Sequence, residues 1–205
     1  WTNAIVRATP GVSIGEDVVP FPHMVPRDIP PLLEEPRDAV RVVSVAEIAA
    51  ADPSNIVAIA EAAPEPPSAC AVEHADALLA ADTAATEVRL AAGRAVAIVV
   101  DFGRDVSGYP RLDLDGPAGA TVDVSYCERL RDDGRAQVQR ANVITSQNVH
   151  RYILRDGEQT WEKFERAGFR YLQLTVGPAP HRPDAPVRIR RANVHFPSYP
   201  VGSRG

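Results

Sequence analysis

The sequence predicts an all-β fold, an antiparallel β-sandwich that follows an extended proline-rich strap and includes one short helix. Three observations predict it. Short apolar or alternating segments recur from residue 86 onward, and glycine-containing turns separate them. This spacing is typical of two stacked antiparallel sheets. The 19 prolines cluster largely outside these segments. A length of 205 residues suits one such domain with an extension.

The N-terminal proline cluster predicts an extended strap over residues 1–38, with six prolines between Pro20 and Pro36. Proline lacks an N–H and biases the preceding residue toward extended geometry, so a helix is disfavoured here. The apolar residues Val25 and Ile29 indicate that the strap lies against a domain. We therefore expect the sandwich to span residues 39–200, with its core over residues 86–197.

The segments before residue 86 carry weaker patterns. Val40–Val45 is a short apolar run that predicts a first strand, whereas residues 46–62 leave helix and strand open. Residues 68–81 are alanine-rich and predict one short helix, with Ser68 as its N-cap.

From residue 86 the strands follow in close succession. They are predicted at Thr86–Leu90, Val96–Phe102, Tyr109–Leu114, Thr121–Tyr126, His150–Leu154, Thr160–Phe164, Arg170–Val176 and Val187–Phe196. Turns are predicted at Gly103, Gly108, Gly116, Gly119, Gly134, Gly157 and Gly168. The residues Arg155–Glu158 predict a hairpin turn, and a change of parity near Arg190–Arg191 predicts a β-bulge.

Composition excludes several function classes. The net charge is −5, from 22 basic and 27 acidic residues, and no basic block is present, so we expect no nucleic-acid partner. No apolar run approaches the ~20 residues of a membrane span, so we expect no membrane partner. Phosphate-binding glycine motifs and metal-ligand spacings are absent from the sequence, which predicts no cofactor and no metal. We expect two free thiols at Cys70 and Cys127, and a natural start upstream of Trp1, which leaves a cytoplasmic or a secreted location open.

Several motifs in one order resemble the concanavalin-like β-sandwich of bacterial α-L-rhamnosidases, glycoside hydrolase family 78. The resemblance extends from Arg27 to about Phe196, and residues 46–85 contribute little to it. Its motifs are Val25–Leu32, Asp101-Phe102-Gly103 to Gly108, Gly116 to Gly119, Tyr126 to Leu130, Asp133-Gly134 and Gly168 to Tyr171.

The resemblance implies a parent enzyme that removes terminal α-L-rhamnose with inversion. In that family the catalytic carboxylates lie on a separate (α/α)6 barrel, C-terminal to this sandwich. We therefore expect no catalytic residue in the chain, and a barrel of the same polypeptide as its partner. A carbohydrate-binding module for rhamnose-containing glycans is the alternative, and a self-contained hydrolase is a third hypothesis.

Six residues are predicted as carbohydrate or inter-domain contacts, because aromatic faces and planar polar groups bind sugars and partner surfaces: Tyr109, Arg111, Glu128, Trp161, Arg170 and Tyr171. Structural roles compete with this interpretation. We expect Tyr126 to be buried, and Glu128 to pair with an arginine such as Arg170. Strand parity further predicts one docking face formed by Phe169, Tyr171, Gln173 and Thr175.

Overall fold

The computed structural model describes residues 28, 30–50, 55–80, 84–138 and 148–200. The chain divides into two units. One is Leu33–Ser198, which holds every helix and strand of the described residues. The other is Trp1–Leu32 with Tyr199–Gly205, and its described residues belong to no helix or strand.

The first unit consists mainly of strands. In chain order they are β1 (Leu33–Asp38), β2 (Arg41–Ala49), β3 (Ala71–Glu73), β4 (Thr86–Arg89), β5 (Arg94–Gly116), β6 (Thr121–Cys127), β7 (Val149–Ile153), β8 (Gly157–Glu162), β9 (Ala167–Gly177) and β10 (Val187–Ser198). A six-residue helix, α1 (Ile56–Glu61), and a 3-10 helix at Ala75–Leu79 lie between β2 and β4.

The strands form two antiparallel sheets that share β5. The N-terminal part of β5 pairs with β2 and β9, and β6 and β7 continue from β9, which makes the first sheet β2-β5-β9-β6-β7. The C-terminal part of β5 pairs with β8 and β10. On the other edge of β10, β4 pairs with its start and β1 with its end, and β3 continues from β4. These strands form the second sheet.

Side chains from both sheets enclose one hydrophobic core. The first sheet contributes alternating residues of β5, β6 and β9, and the second contributes alternating residues of β4, β5 and β10. The largest fully buried apolar members include Phe169, Ile98, Leu112, Leu114, Leu172, Leu174 and Ile189. All strand pairings are antiparallel and the described residues are mostly strand, which confirms the predicted all-β class and is consistent with the sandwich.

One long strand replaces two predicted ones. Val96–Phe102 and Tyr109–Leu114 are both part of β5, so the turns predicted at Gly103 and Gly108 are wrong. The register with β9 shifts between Asp101 and Val106, and Gly103 has φ +75°, which is a β-bulge that redirects the strand toward the second sheet. Gly108 is needed for a different reason, because a Cβ there would lie 2.2 Å from the carbonyl oxygen of His195. The turn predicted at Gly168 also lies within a strand, β9.

The predicted helix over residues 68–81 is wrong. Ala71–Glu73 forms β3 against β4, and only Ala75–Leu79 is helical, as a 3-10 turn. Ser68 is not an N-cap, because its backbone N–H and its hydroxyl both donate to Glu47. The α-helix lies earlier, where Asn55 caps α1 by accepting from the N–H of Ala58.

Two further expectations change at the strand ends. The predicted strap ends in a strand, since Leu33–Asp38 pairs with β10 as β1; residues 1–27 and 29 lie outside the described part of the chain. The predicted hairpin is also wrong, because β7 pairs with β6 in the first sheet whereas β8 pairs with β5 in the second. The bulge in β10 is confirmed by a register shift between Ile189 and Arg191.

Candidate binding site on the outer face of the second sheet

The predicted contact residues fall in three places. Arg170 and Tyr171 lie on β9 of the first sheet, and exposed Glu128 follows the end of β6. Tyr109 and Arg111 lie on β5 in the second sheet. Trp161 lies opposite Leu112 in the register and packs against the core. The structure therefore does not bring the six together into one site.

Arg170 takes part in an ion cluster around the buried carboxylate of Asp101, which we call the Asp101 cluster (Arg41, Asp101 and Arg170); the two arginine side chains are partly exposed. The Asp101 carboxylate is 1% exposed and accepts five hydrogen bonds. Arg170 donates at 2.9 and 3.1 Å, Arg41 at 3.1 and 2.8 Å, and the backbone N–H of Gly103 at 2.7 Å. The expected pairing of Arg170 with Glu128 is thus replaced by a pairing with Asp101.

These hydrogen bonds set the acidity of Asp101. The guanidinium of Arg170 is the largest cause, and together with Arg41 and the Gly103 N–H it lowers the pKa of Asp101 to about 2, against the opposing effect of burial. A carboxyl group this acidic stays ionised at neutral pH. Asp101 is therefore a structural acceptor and is unsuited to donate a proton to a leaving group.

The predicted docking face on β9 is wrong. Phe169 is fully buried in the core, where its ring centroid lies 5.3 Å from that of Phe102 and 5.8 Å from that of Tyr126, which is buried as expected. Gln173 and Thr175 are buried as well, and Gln173 donates to the carbonyl of Ala60 in α1. Phe169 and Leu172 both enter the core although they are three positions apart in the sequence. Strict alternation would place them on opposite faces of the sheet, so β9 changes face between these two residues.

Tyr171 and Trp161 serve packing rather than a common sugar platform. Tyr171 packs against a small second cluster that includes Cys127, and the Arg170 guanidinium lies 5.0 Å from its ring centroid. The Trp161 ring lies 6.3 Å from that of Tyr152, at the edge of the main core.

A polar cluster covers the outer face of the second sheet. Its central residues lie on the three adjacent strands β8, β5 and β10, and the register places Arg111 opposite both Glu162 and Asn193. Directly opposed residues of paired strands share one face of the sheet. We name this group the Asn193 cluster; its members are Tyr109, Arg111, Asp113, Glu162, Arg191, Asn193 and His195.

Short polar contacts join the Asn193 cluster. His195 Nδ1 lies 2.8 Å from Glu162 Oε2, and Arg111 Nη1 lies 3.9 Å from the same oxygen. Arg111 Nη2 lies 3.4 Å from Asp113 Oδ1, which also accepts from the Thr160 hydroxyl at 2.7 Å. Its ionic side chains are about one-fifth to two-fifths exposed, so they can reach a ligand as well as one another.

Asn193 lies beneath these side chains. It alternates with Ala192 and Val194, which are in the core, so its side chain belongs to the outer face. Only 2% of the residue is exposed, and within the described residues its Oδ1 has no hydrogen-bond partner. A buried amide oxygen without a donor costs about 1–3 kcal/mol, so Asn193 lowers the stability of the fold at this position.

A shallow depression adjoins the cluster on the same face. Its volume is about 480 Å³, and Asp113, Thr160, Arg190 and Arg191 contribute to its lining. The Arg190 side chain reaches Glu158 at 2.6 Å, while its buried Nε has no partner within the described residues. The depression therefore presents both donors and acceptors, which is the chemistry that recognises hydroxyl groups.

Sequence reasoning identified part of this site. Tyr109 and Arg111 were predicted as contacts, whereas Asp113, Arg191 and Asn193 were not. The available signal was the alternation of polar residues at 109, 111 and 113 with buried Leu112 and Leu114. Within the described residues, no three His, Cys, Asp or Glu side chains gather as a metal site would require. Helices there are also too short and polar to cross a membrane, and both cysteines are free thiols, as expected.

Two antiparallel sheets around one core define an all-β domain. The sequence model of the bacterial alpha-L-rhamnosidase concanavalin-like domain matches residues 92–195, and the chain belongs to this family. This match confirms the resemblance that the sequence motifs indicated.

Individual relatives support the same assignment. An alpha-L-rhamnosidase of Streptomyces avermitilis is 37% identical over 82 residues, and one of Formosa agariphila is 31% identical over 83 residues. These matches cover 39% and 37% of this chain, but only 8% of each relative. Among solved structures, a family 78 rhamnosidase of Bacillus sp. GL1 is similar with a TM-score of 0.54 and 27% identity, over 63% of this chain and 13% of that one.

Proposed function

We propose that the chain is a non-catalytic β-sandwich domain of an α-L-rhamnosidase-like glycoside hydrolase, which packs against the catalytic (α/α)6 barrel of the same polypeptide. The observation that carries the proposal is that both buried carboxylates of the described residues are ion-paired acceptors. Asp101 is held by two arginines, and Asp123 accepts from Arg151 at 2.6 and 2.7 Å. Inverting hydrolysis instead needs an acid that keeps its proton, and a base about 6.5–9.5 Å away.

The family relationship agrees with an accessory role. The matched segments form 8% of two relatives that are named for rhamnosidase activity, so most of each of those proteins lies outside the similarity. A domain of this family in a larger hydrolase needs a surface for the rest of the polypeptide.

Phe164 is the best candidate for such a contact. It lies between β8 and β9 and is 96% exposed. Its loop is anchored, because the backbone N–H of Lys163 donates to the Pro110 carbonyl at 2.8 Å and the Lys163 ammonium contacts Glu165 at 3.1 Å. A large aromatic side chain on an anchored loop gains free energy when a partner covers it.

Two measurements test this proposal. The isolated chain should release no nitrophenol from a nitrophenyl α-L-rhamnoside, and turnover that disappears in a Glu162→Gln variant would overturn the non-catalytic role. The gene should also continue in frame into an (α/α)6 barrel, and a gene encoding no barrel would contradict the docking role.

The contact itself is tested in the polypeptide that carries both domains. Phe164→Asp should lower the thermal midpoint of the barrel, whereas Phe164→Leu should restore most of it. Neither substitution should alter the midpoint of the isolated chain, because this side chain is solvated there. An unchanged barrel midpoint in both variants would exclude Phe164 from the interface.

A second candidate function is a carbohydrate-binding module for rhamnose-containing glycans. The specific observation in its favour is the depression on the outer face of the second sheet, because Asp113, Thr160, Arg190 and Arg191 in its lining present both donors and acceptors. Calorimetric titration of the isolated chain with L-rhamnose tests it.

A further inference from the structure

We infer that the surface around the bulge of β5 binds an acidic surface of the catalytic barrel, with a carboxylate of the barrel held by Arg41 and Arg170. We call it the bulge surface; its members are Val40, Arg41, Arg104, Phe164, Arg166 and Arg170. This inference rests on the proposed docking function, and it adds the extent of the contact and the charge of the partner.

The bulge of β5 brings these residues together. The exposed side chain of Val40 lies beside it, because a Cβ on Gly103 would be 3.2 Å from one of the valine methyl groups. Farther along β5, the Arg166 guanidinium lies 3.3 Å from the Ser107 hydroxyl. Arg166 belongs to the loop that carries Phe164, so this loop adjoins the bulge.

Apolar side chains on the bulge surface favour a protein partner. Val40 is 61% exposed and Phe164 is 96% exposed, so both gain free energy when another surface covers them. Aromatic residues and arginine are also the residues that protein interfaces favour. Because the matched segments form only 8% of two relatives, the rest of such a polypeptide is the partner that lies at hand.

The charge of the bulge surface selects an acidic partner. Its four arginines oppose two carboxylates, Asp101 and Asp105, whereas Lys163 and Glu165 neutralise each other at 3.1 Å. Four charges against two leave an excess of two positive charges, although the chain as a whole has a net charge of −5. An acidic surface is therefore attracted to this part of the domain.

Arg41 and Arg170 provide the position for one carboxylate. The Nη2 atoms of both donate to the same oxygen of Asp101, at 2.8 and 3.1 Å, so the two guanidiniums lie side by side. Their side chains are 59% and 37% exposed, and within the described residues neither Nη1 has a hydrogen-bond partner. An incoming carboxylate can therefore accept from these guanidiniums at the surface.

Chemical cross-linking tests the charge of the partner in the polypeptide that carries both domains. Lys163 is the only lysine of this chain and is 8% exposed, so Arg104→Lys introduces an accessible amine at the bulge. A carbodiimide, which couples an amine to a carboxylate in contact with it, should then join residue 104 to an Asp or Glu of the barrel. The matched control is Arg155→Lys, exposed at the opposite end of β8, which should give no such product.

Charge reversal tests the same contact by stability. Arg104→Glu should lower the thermal midpoint of the barrel by about 2 °C. The difference should shrink in about 1 M salt, where charges are screened beyond ~3 Å. Arg155→Glu should leave the barrel unchanged, and neither variant should alter the midpoint of the isolated chain. If Arg104→Glu fails to fold, Arg166→Glu should produce the same loss.

The outcomes separate this inference from the function it rests on. A lower barrel midpoint in Phe164→Asp, without any loss in Arg104→Glu or Arg166→Glu, would overturn the acidic partner but preserve docking. Cross-links from residue 104 to a second copy of the chain would overturn the barrel as the occupant. Unchanged midpoints in all three variants, together with no cross-link to the barrel, would overturn both proposals.

Discussion

The Asp101 cluster and the Asn193 cluster use similar polar residues for different ends. In the Asp101 cluster a buried carboxylate accepts five hydrogen bonds, and two arginines neutralise its charge. In the Asn193 cluster a buried amide oxygen has no partner within the described residues, and the surrounding ionic groups stay partly solvated. A satisfied buried network stabilises a fold, whereas a buried acceptor without a donor lowers its stability.

The largest expected effect concerns the core beneath the Asp101 cluster. Phe169→Ala should lower the free energy of unfolding by about 3–5 kcal/mol, because it leaves a cavity beside Phe102 and Tyr126. Urea denaturation measures this change. Phe164→Ala is the matched control and should change stability by less than about 0.5 kcal/mol, since the side chain is 96% exposed. Equal losses in both variants would contradict the assigned burial.

The next effect tests whether the Asp101 cluster is structural. Asp101→Asn should lower the free energy of unfolding by about 1–3 kcal/mol, because the buried carboxylate loses its charge-assisted hydrogen bonds with Arg41 and Arg170. Asp132→Asn, in an exposed turn, serves as the control in the same denaturation experiment. A loss no larger than that of the control would show that solvent already satisfies the two arginines.

The same carboxylate predicts a dependence on pH. The folded pKa of about 2 lies below the ordinary value of 3.8, so the folded state favours ionised Asp101. Its contribution is therefore present above about pH 4 and is lost as the pH falls toward 2. Thermal midpoints measured across this range should fall more steeply for the natural chain than for Asp101→Asn. Parallel curves would show that other carboxylates control acid unfolding.

The smallest predicted effect is a gain in stability, and it distinguishes the Asn193 cluster from the Asp101 cluster. Asn193→Leu should raise the free energy of unfolding by up to about 1 kcal/mol, because it removes a buried acceptor that has no donor in the described structure. The same denaturation experiment measures it. A loss of more than about 1 kcal/mol would indicate that Asn193 is held by a structural hydrogen bond.

Sequence patterns predicted the strands that alternate cleanly and missed the places where one strand serves two sheets. Val122, Val124 and Tyr126 of β6 face the core as their spacing indicated. The glycines of β5 suggested turns, but Gly103 forms a bulge and Gly108 allows β10 to approach closely. Local sequence does not distinguish these uses of glycine, because the difference lies in which distant strand passes nearby.

The candidate site was also predicted only in part from the sequence. Tyr109 and Arg111 were predicted from their side-chain chemistry, but Asn193 has little to mark it in the sequence. Its position depends on the bulge between Ile189 and Arg191, after which Asn193 lies on the outer face opposite Arg111. The burial of Asn193 and its lack of a hydrogen-bond donor depend on the residues around it, which lie on the paired strands β1 and β5.

The sequence by itself determined the all-β class, the family and most strand positions, since alternation and ordered motifs are local properties of the chain. Tertiary structure decided that β5 joins two sheets, that β7 and β8 belong to different sheets, and that Arg170 binds Asp101. The physical reason is that strand partners and ion pairs are chosen between residues distant in the chain. Their geometry is fixed only when both sheets close on the common core.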